Sequence, residues 1–206
     1  MRNIDRGGTI MFVDPALIQT CAPTVAPSTV QSIIQVESKG NPLAINVNGT
    51  KLARQPRDIV DATALATAYI KAGYSVDLGL MQVNSKNLSK LGYTISDMFI
   101  PCKNLSAGAQ ILTKFYTSGR EQMIDPQIAL RAALSAYNTG NFISGFRNGY
   151  VARYFAGSLL TKFGQFTAEN KAQEKDDSSS YGQQIMNPYT ANTVVYVRHE
   201  ETILQK

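Results

Sequence analysis

A glutamate lies where the pattern of a helix calls for a core residue. The stretch Pro27–Pro42 begins with Pro-Ser and ends with Gly-Asn-Pro, which are start and stop signals of a helix. Between them, Val30, Ile33 and Ile34 fall at i, i+3 and i+4, the spacing of one buried helix face. Glu37 takes the i+7 position of the same stripe. The sequence therefore predicts a carboxyl group in the last turn of a helix, at a position typical of the core.

This position favours a protonated carboxyl group on Glu37. Burial disfavours the charged form, and so does the negative end of the helix dipole, so both effects raise the pKa. A carboxylic acid that is still protonated near neutral pH is what a general acid for glycoside cleavage requires. The alternative is that Glu37 turns outward at a frayed helix end or pairs with a basic residue. Glu37 and Glu121 are the only glutamates before residue 158, so few residues compete for the role.

The other reactive residue types exclude several kinds of chemistry. The single histidine, His199, lies near the C-terminus, which rules out a Ser-His-Asp triad within the main domain. Cys21 and Cys102 have no second Cys or His nearby, so we expect no metal site and no cofactor. On composition alone the two cysteines either form one disulfide or are two separate buried thiols.

Composition and charge limit the class of protein and the class of partner. A chain of 206 residues with 44% hydrophobic residues suits one domain and an appendage, and no apolar run approaches the length of a membrane span. Residues 1–157 carry 15 Lys+Arg and 9 Asp+Glu, so this part is mildly basic and favours an anionic polymer, either nucleic acid or cell wall. No Arg/Lys run with interleaved aromatic residues is present, which argues against nucleic acid.

Periodicity, caps and turn residues predict a mainly helical chain with a small hairpin. The predicted elements are a loop over Leu17–Pro27, the Glu37 helix, a hairpin around Asn48-Gly49 within residues 43–55, a helix over Asp58–Lys71 ending at Gly73, a loop over Asp77–Ser85 leading to a short helix through Leu91, a helix over Lys103–Ser118 stopping at Gly119, a helix from Pro126 to Gly140, and a short helix within Phe142–Phe155.

The ends of the chain differ in character from the middle. We predict an N-terminal extension over residues 1–16, a main domain over residues 17–157, and a flexible linker with a C-terminal tail over residues 158–206. Thr167–Gln184 is charged and serine-rich, which is typical of a linker, and residues 190–205 form either a strand or a disordered tail. Met1–Ile10 is polar and Met11–Thr20 is too interrupted for a signal-peptide core. Export by another route, a misassigned start and a removed signal all remain open.

Four short motifs together resemble a known family. In chain order they are Glu37-Ser38, Gly79-Leu80-Met81-Gln82, Ala136-Tyr137-Asn138 and Gly149-Tyr150. This ordered set resembles the soluble lytic transglycosylase family, which has the lysozyme fold. Three further stretches, Cys21–Pro27, Pro101–Asn104 and Ser135–Phe142, resemble the branch of that family found in type IV secretion systems. The resemblance covers roughly residues 17–155 and implies a mainly α, lysozyme-like α+β fold with a small β-hairpin.

The resemblance implies a role for Glu37 and a set of substrate contacts. Glu37 is expected to protonate the oxygen between N-acetylmuramic acid and N-acetylglucosamine, while the acetamido group of the sugar stabilises the cationic centre. Glu37 is then expected to take the proton of the muramyl 6-hydroxyl, which gives a 1,6-anhydro product. The implied substrate-binding residues are Ser38, Met81, Gln82, Tyr137, Asn138 and Tyr150. Met81 and Tyr137 also fit core positions, and Asn138 also fits a helix stop.

Asp77 raises an alternative reaction. The segment Asp77–Ser85 is similar to the corresponding segment of animal-type lysozymes, in which the leading aspartate is the second catalytic carboxylate. If Asp77 faces the cleft opposite Glu37, hydrolysis by water becomes possible. The other interpretation of Asp77 is a residue that caps a loop. A third possibility is a scaffold whose lysozyme-like fold only binds glycan or partners.

The resemblance also implies a location and partners. We expect a periplasmic or cell-envelope protein that acts on peptidoglycan glycan strands and binds other type IV secretion components through its tail. An oxidising compartment permits a disulfide. We therefore predict a Cys21–Cys102 disulfide, since Cys21 precedes the Glu37 helix and Cys102 opens the helix from Lys103.

Overall fold

The structure, a computed structural model, describes residues 13–154. In this range the chain forms seven α-helices, three β-strands and three short 3-10 helices, which confirms the predicted mainly α class with a small β component. The α-helices are α1 Pro15–Cys21, α2 Pro27–Glu37, α3 Ile59–Lys71, α4 Leu88–Leu91, α5 Pro101–Gln122, α6 Pro126–Thr139 and α7 Ser144–Arg147. The strands are β1 Ile45–Val47, β2 Val76–Leu78 and β3 Val83–Asn84, and the 3-10 helices are Ser85–Asn87, Ser96–Phe99 and Val151–Tyr154.

The described residues divide into two compact units. The first unit contains residues 13–23 and 30–110, and the second contains residues 24–29 and 111–154. The predicted linker and tail lie outside the described residues, as does most of the predicted N-terminal extension. The predicted boundaries at residues 17 and 157 therefore stay predictions.

The sheet of the first unit is antiparallel with the order β1-β2-β3. Its buried face carries apolar side chains of all three strands, namely Ile45, Val47, Val76, Leu78 and Val83. Because side chains alternate along a strand, the polar residues between them point to the opposite face. Asn46 of β1 and Asn84 of β3 lie directly across from Asp77 of β2. The register thus places a row of amide and carboxyl groups on the open face.

The predicted hairpin around Asn48-Gly49 is wrong in its second half. Gly49 has a left-handed φ of 91° and makes the turn, but β1 pairs with β2 and not with residues 51–55. Those residues are held elsewhere, because the Tyr69 hydroxyl accepts a hydrogen bond from the Ala53 amide at 3.0 Å and donates one to the Lys51 carbonyl at 3.4 Å. The hairpin of this sheet is β2–β3, within a segment for which the sequence predicts a loop.

The predicted loop over Leu17–Pro27 is also wrong in part, since it begins inside α1. Asp14 caps this helix by accepting the Ala16 amide at 2.9 Å, and Pro15 takes the first helical position, where its missing N–H costs nothing. Ile18 and Cys21 are its buried residues. Two apolar side chains one turn apart are too short a pattern to identify a helix from sequence.

Helices α3 and α6 begin and end close to their predicted bounds, because their end signals are local. Asp58 caps α3, and Asp125 caps α6 by accepting the Gln127 amide at 2.7 Å. Helix α5, by contrast, continues to Gln122 and does not stop at the predicted Gly119. A Cβ atom at Gly119 would lie 3.4 Å from the Ala129 carbonyl oxygen, so Gly119 packs against α6 at ordinary van der Waals distance.

The first unit contains one disulfide, which links Cys21 and Cys102. The Cα atoms of the two residues lie 5.1 Å apart, within the usual range for a disulfide. The bond joins the end of α1 to the first turn of α5 across 81 residues of chain.

Candidate active site

Glu37 is the last residue of α2, at the C-terminal end predicted from the sequence. Val30, Ile33 and Ile34 are completely buried, so the apolar stripe anchors the helix as the spacing predicts. Glu37 itself is only partly buried. A general acid needs this combination, since its backbone must be fixed while its carboxyl group stays within reach of a ligand.

Ser38 ends the helix directly after Glu37. Its hydroxyl donates to the Ile34 carbonyl at 3.2 Å and accepts the Gly40 amide at 3.2 Å. Lys39 and Gly40 then take left-handed φ angles of 55° and 86°, which turn the chain away from the helix axis. The Ser38 side chain is therefore engaged in fixing the backbone beside Glu37, a positioning role that the sequence did not predict. Its contact with substrate stays a prediction.

Gln82 combines an unusual backbone with an oriented side chain. Its φ of 48° is left-handed, which is uncommon for a residue other than glycine and often marks a functional site. Its side-chain amide nitrogen donates to the Gly79 carbonyl at 2.9 Å and to the Ala44 carbonyl at 3.1 Å. Both amide hydrogens are thus used within the chain. The amide oxygen has no donor among the described residues, so it is the group that Gln82 can offer to a ligand.

Met81 is completely buried in the first unit and lies against Gly108 of α5, where a Cβ atom would collide with the methionine side chain. In this conformation Met81 takes the core position that the sequence left open as an alternative. Its predicted contact with a sugar is untested.

Asn104 is a residue of this site that the sequence reasoning missed. It is completely buried on α5, and its side chain makes three hydrogen bonds to backbone atoms. The amide nitrogen donates to the Leu78 carbonyl at 2.8 Å and to the Met98 carbonyl at 2.9 Å, while the oxygen accepts the Met81 amide at 2.8 Å. Asn104 ends the stretch Pro101–Asn104, which resembles the secretion-system branch of the family, and that motif is the signal that could have identified it.

Asp77 lies in the middle of β2 and is the centre of a polar network. One carboxylate oxygen accepts the side-chain amides of Asn46 at 3.1 Å and Asn48 at 3.0 Å, and the other accepts that of Asn84 at 2.6 Å. The Asn84 amide is itself oriented, because its oxygen accepts the Lys86 backbone amide at 3.0 Å. Asp77 thus does not cap a loop. It is a carboxylate held in place by three neutral donors, in the same compact unit as Glu37.

The three remaining predicted residues lie in the second unit. Tyr137 and Asn138 belong to the last turn of α6. Asn138 is exposed and accepts the Asn148 side-chain amide at 3.0 Å. Tyr150 is buried, and its hydroxyl lies 2.5 Å from that of Tyr154. The helix ends at Gly140, which has a φ of 77°, so Asn138 is not the stop.

Ser135 organises the second unit in the way that Asn104 organises the turn of the first. It is completely buried, donates to the Asn141 carbonyl at 2.8 Å and accepts the Gly145 amide at 2.8 Å. Its hydroxyl thereby ties the end of α6 to α7. The predicted contacts of Tyr137, Asn138 and Tyr150 with substrate stay predictions.

Two kinds of structural feature are absent from residues 13–154. No helix in this range combines the length and apolar character needed to cross a membrane. Nor do three or more His, Cys, Asp or Glu side chains of this range come together as metal ligands.

Comparison with known proteins identifies the family. The sequence profile of the family described as Transglycosylase SLT domain matches residues 14–154, which is nearly the whole described range. "Protein virB1" of Rhizobium radiobacter is 48% identical over 133 residues, covering 65% of this chain and 55% of that protein. "Protein virB1" of Agrobacterium fabrum is 41% identical over 162 residues, covering 79% of this chain and 64% of that protein.

A third relative is named "Type IV secretion system protein virB1" and comes from Brucella abortus. It is 44% identical over 151 residues, covering 70% of this chain and 63% of that protein. The chain thus spans between 55% and 64% of the length of these three relatives. No solved structure gives a significant match. The family match over the described residues shows that this chain belongs to the Transglycosylase SLT domain family.

Proposed function

We propose that the chain is a peptidoglycan lytic transglycosylase that opens the cell wall locally for the assembly of a type IV secretion system. The observation that carries the proposal is Glu37, which ends α2 in a partly buried position within the region matched by the family. The relative whose name includes the type IV secretion system supports the setting. As a glycosidic-bond lyase, the enzyme needs no metal or cofactor.

The proposed reaction uses one carboxyl group twice. Glu37 first donates its proton to the glycosidic oxygen between N-acetylmuramic acid and N-acetylglucosamine, and the acetamido oxygen of the muramyl sugar stabilises the cationic carbon. The carboxylate then takes the proton of the 6-hydroxyl of the same sugar, and that oxygen attacks the carbon to close the 1,6-anhydro ring. The proton balance closes without water, because Glu37 ends the cycle in its starting form.

The other residues of the first unit support this step in different ways. Gln82 offers an amide oxygen that can accept a hydroxyl or acetamido N–H of the sugar, since its two hydrogens are held by Gly79 and Ala44. Ser38 fixes the chain beside Glu37 through Ile34 and so limits the freedom of the acid. A fixed acid has less reorganisation to undergo during the reaction.

A second candidate reaction is hydrolysis by a muramidase, and the Asp77 network favours it. A carboxylate held by three amides is a preorganised negative charge, which is the kind of group that stabilises a cationic sugar. In that mechanism water replaces the 6-hydroxyl as the attacking group. A third candidate is a scaffold that binds glycan without cleaving it.

The proposed location is the periplasm or cell envelope, where the substrate lies. The Cys21–Cys102 disulfide supports this location, because such bonds persist in oxidising compartments and are rare in the cytosol of most organisms. The proposed partners, besides glycan strands, are other secretion components bound through the tail.

Mass spectrometry of purified peptidoglycan after digestion by the full chain tests the proposal. Muramyl products with 1,6-anhydro ends, lighter by one water than products with reducing ends, are the expected result. Reducing ends would instead establish the muramidase. An undigested glycan, with retention of the protein on insoluble peptidoglycan, would establish the scaffold.

A further inference from the structure

The turn between β2 and β3 is held in place by the buried side chain of Asn104. Residues 79–82 connect the strands and carry Gln82 at their end. Asn104 reaches this turn from the first turns of α5, although it lies more than 20 residues along the chain. We infer that Asn104 is a positioning residue of the site, which acts on substrate through Gln82 and does not touch substrate itself. The inference rests on the proposed function, since it assigns the sugar contact to Gln82.

Asn104 uses both the donor and the acceptor atoms of its side chain. Its two amide hydrogens go to the carbonyl oxygens of Leu78 and Met98, and its oxygen accepts the Met81 amide. One side chain therefore joins the end of β2, the 3-10 helix over Ser96–Phe99 and the turn itself. Aspartate cannot supply the two donors and leucine can supply neither donors nor acceptor, so asparagine is suited to this position.

Gly79 shows how closely the turn is fitted to Asn104. Its φ of 73° is left-handed, and a Cβ atom there would collide with the Asn104 amide and the Met98 carbonyl oxygen. Both features require glycine. The turn therefore has little freedom to shift while the Asn104 side chain is in place.

The same turn sets the orientation of Gln82. The Gln82 backbone amide donates to the Gly79 carbonyl at 3.2 Å, and its side-chain amide donates to the same carbonyl at 2.9 Å. A displacement of Gly79 would therefore move two hydrogen bonds of Gln82 at once. The left-handed φ of Gln82 is a strained conformation that persists only where its surroundings impose it. Asn104 is the buried group that holds those surroundings.

The two residues of α5 that precede Asn104 are themselves fixed by contacts with other segments. Cys102 lies two residues earlier on α5 and is bonded to Cys21. Lys103 pairs with Asp97 at 2.5 Å, and Asp97 belongs to the same 3-10 helix as Met98. Of the three groups that Asn104 joins, the 3-10 helix is thus also tied to α5 by a contact that does not involve Asn104.

A double-mutant cycle between Asn104 and Gln82 tests the inference. Asn104→Ala, Gln82→Ala and the double variant are prepared as full chains. For each we measure kcat and KM of wall cleavage, and also the Kd of chitohexaose, an N-acetylglucosamine oligomer, in the Glu37→Gln background. All assays run well below the lowest Tm. We expect each single change to lower kcat/KM and chitohexaose affinity by roughly tenfold, and the double change to lower them no further, because both remove the same contact.

The control pair is Ser135→Ala with Gln82→Ala, since Ser135 is an equally buried polar residue in the second unit. The effects of Ser135→Ala on kcat/KM and on chitohexaose affinity should multiply with those of Gln82→Ala. If the effects of Asn104→Ala and Gln82→Ala also multiply in both readouts, Asn104 has only a general structural role and the inference is wrong. If Asn104→Ala does not fold, Asn104→Asp keeps the size and the acceptor, and the same cycle is run with it.

The two readouts separate this inference from the proposed function. Wild-type protein that binds chitohexaose with Asn104–Gln82 coupling but cleaves no wall would overturn the transglycosylase and keep the positioning role. Wild-type protein that cleaves the wall, with effects of Asn104→Ala and Gln82→Ala that multiply, would keep the transglycosylase and overturn the positioning role. Absence of both cleavage and binding would overturn both.

Discussion

The chemistry of Glu37 depends on the residues that end its helix. The last carbonyl groups of a helix have no partner within the helix, and they concentrate negative potential at that end. The Ser38 backbone amide and its hydroxyl both donate to the Ile34 carbonyl, at 3.0 Å and 3.2 Å, and the left-handed Lys39 and Gly40 turn the chain away. Glu37 is therefore the last residue of its helix and is only partly buried. Ser38 thus contributes to the chemistry of Glu37 by fixing the backbone beside it.

Asp77 provides the first test at the residue scale. Asp77→Asn keeps the size of the side chain and removes the charge. If the proposed transglycosylase is right, substrate assistance does not need this charge, so the rate of anhydro-product formation should stay within about tenfold of wild type. The measurement is the rate of product formation resolved by mass spectrometry. Asp97→Asn is the matched control, since it removes a carboxylate of the same unit away from the sheet. Loss of all cleavage in Asp77→Asn alone would support the muramidase.

Asp97 gives a prediction on pH. Hydrogen bonds from the Lys103 ammonium, and then from the backbone amide and hydroxyl of Thr94, lower the pKa of Asp97 to about 2. A carboxyl group whose pKa is lower in the folded state contributes stability above its unfolded pKa of about 3.9, and this contribution is lost as pH falls toward 2. Asp97→Asn should therefore lower the Tm slightly at pH 7, and this difference should shrink between about pH 4 and pH 2.

The pH prediction is checked by thermal melts of wild type and Asp97→Asn across that range. The effect is small, because Lys103 is half exposed and solvent screens the pair. A Tm difference that is as large at pH 2 as at pH 7 would contradict the assignment.

At the scale of elements, the helices other than α1 could be predicted and the strand pairing could not. Caps such as Asp58 and Asp125 act within a few residues, so sequence alone identifies where α3 and α6 begin. β1 pairs with β2 across roughly 30 residues, and no local signal specifies that partner. The Asn48-Gly49 turn is present, yet the strand expected after it is replaced by a loop held by Tyr69.

The same distinction applies to the site. Glu37 and Gln82 stand in short motifs, so sequence could single them out. The orientation of the Gln82 amide and the positioning role of Asn104 could not be predicted, because they depend on contacts between segments that are far apart in the chain. Met81 was ambiguous in sequence because an apolar residue fits a core and a ligand site equally well. The structure buries it completely, and its contact with a sugar stays a prediction.

The Cys21–Cys102 disulfide gives a prediction on stability at the scale of elements, because it joins α1 to α5. Replacing Cys21 and Cys102 with serine releases the end of α1 from the start of α5. Because the bond closes a loop of 81 residues, the chain-entropy model gives a stability loss of about 4 kcal/mol and a Tm lower by roughly ten degrees. Thermal melts of the double variant and of wild type with and without reductant measure it. An unchanged Tm, or alkylation of both thiols in unreduced wild type, would contradict the bond.

At the scale of the whole molecule, charge and composition separate the family region from the rest. Residues 158–206 carry 5 Lys+Arg and 6 Asp+Glu, whereas residues 1–157 are basic. Residues 167–184 include six charged residues and three consecutive serines, and Thr193–Val197 is apolar and β-prone. These residues lie outside the described part of the chain. We propose that the short apolar stretch adds to the sheet edge of a secretion component.

Truncation after Gly157 tests this proposal. The tail contributes nothing to the enzyme in this account, so wall cleavage and Tm should match those of the full chain, while recruitment to the secretion apparatus is lost. Wall cleavage is measured by cleavage assays, Tm by thermal melts, and recruitment by co-purification with the secretion apparatus. A truncated chain that melts several degrees lower or loses activity would show that the tail belongs to the enzyme's own fold.

The central claim is that Glu37 is the acid and then the base of wall cleavage, and Glu37→Gln tests it most directly. Glutamine keeps the shape of the side chain but has no proton to give to the leaving oxygen. The measurement is the rate at which 1,6-anhydro-muramyl ends form from purified peptidoglycan, with matched melts to establish that the variant is folded. The account predicts an unchanged Tm and a rate lower by at least about a hundredfold. A folded variant whose rate stays within about tenfold of wild type, a barrier change of only ~1.4 kcal/mol, would contradict it.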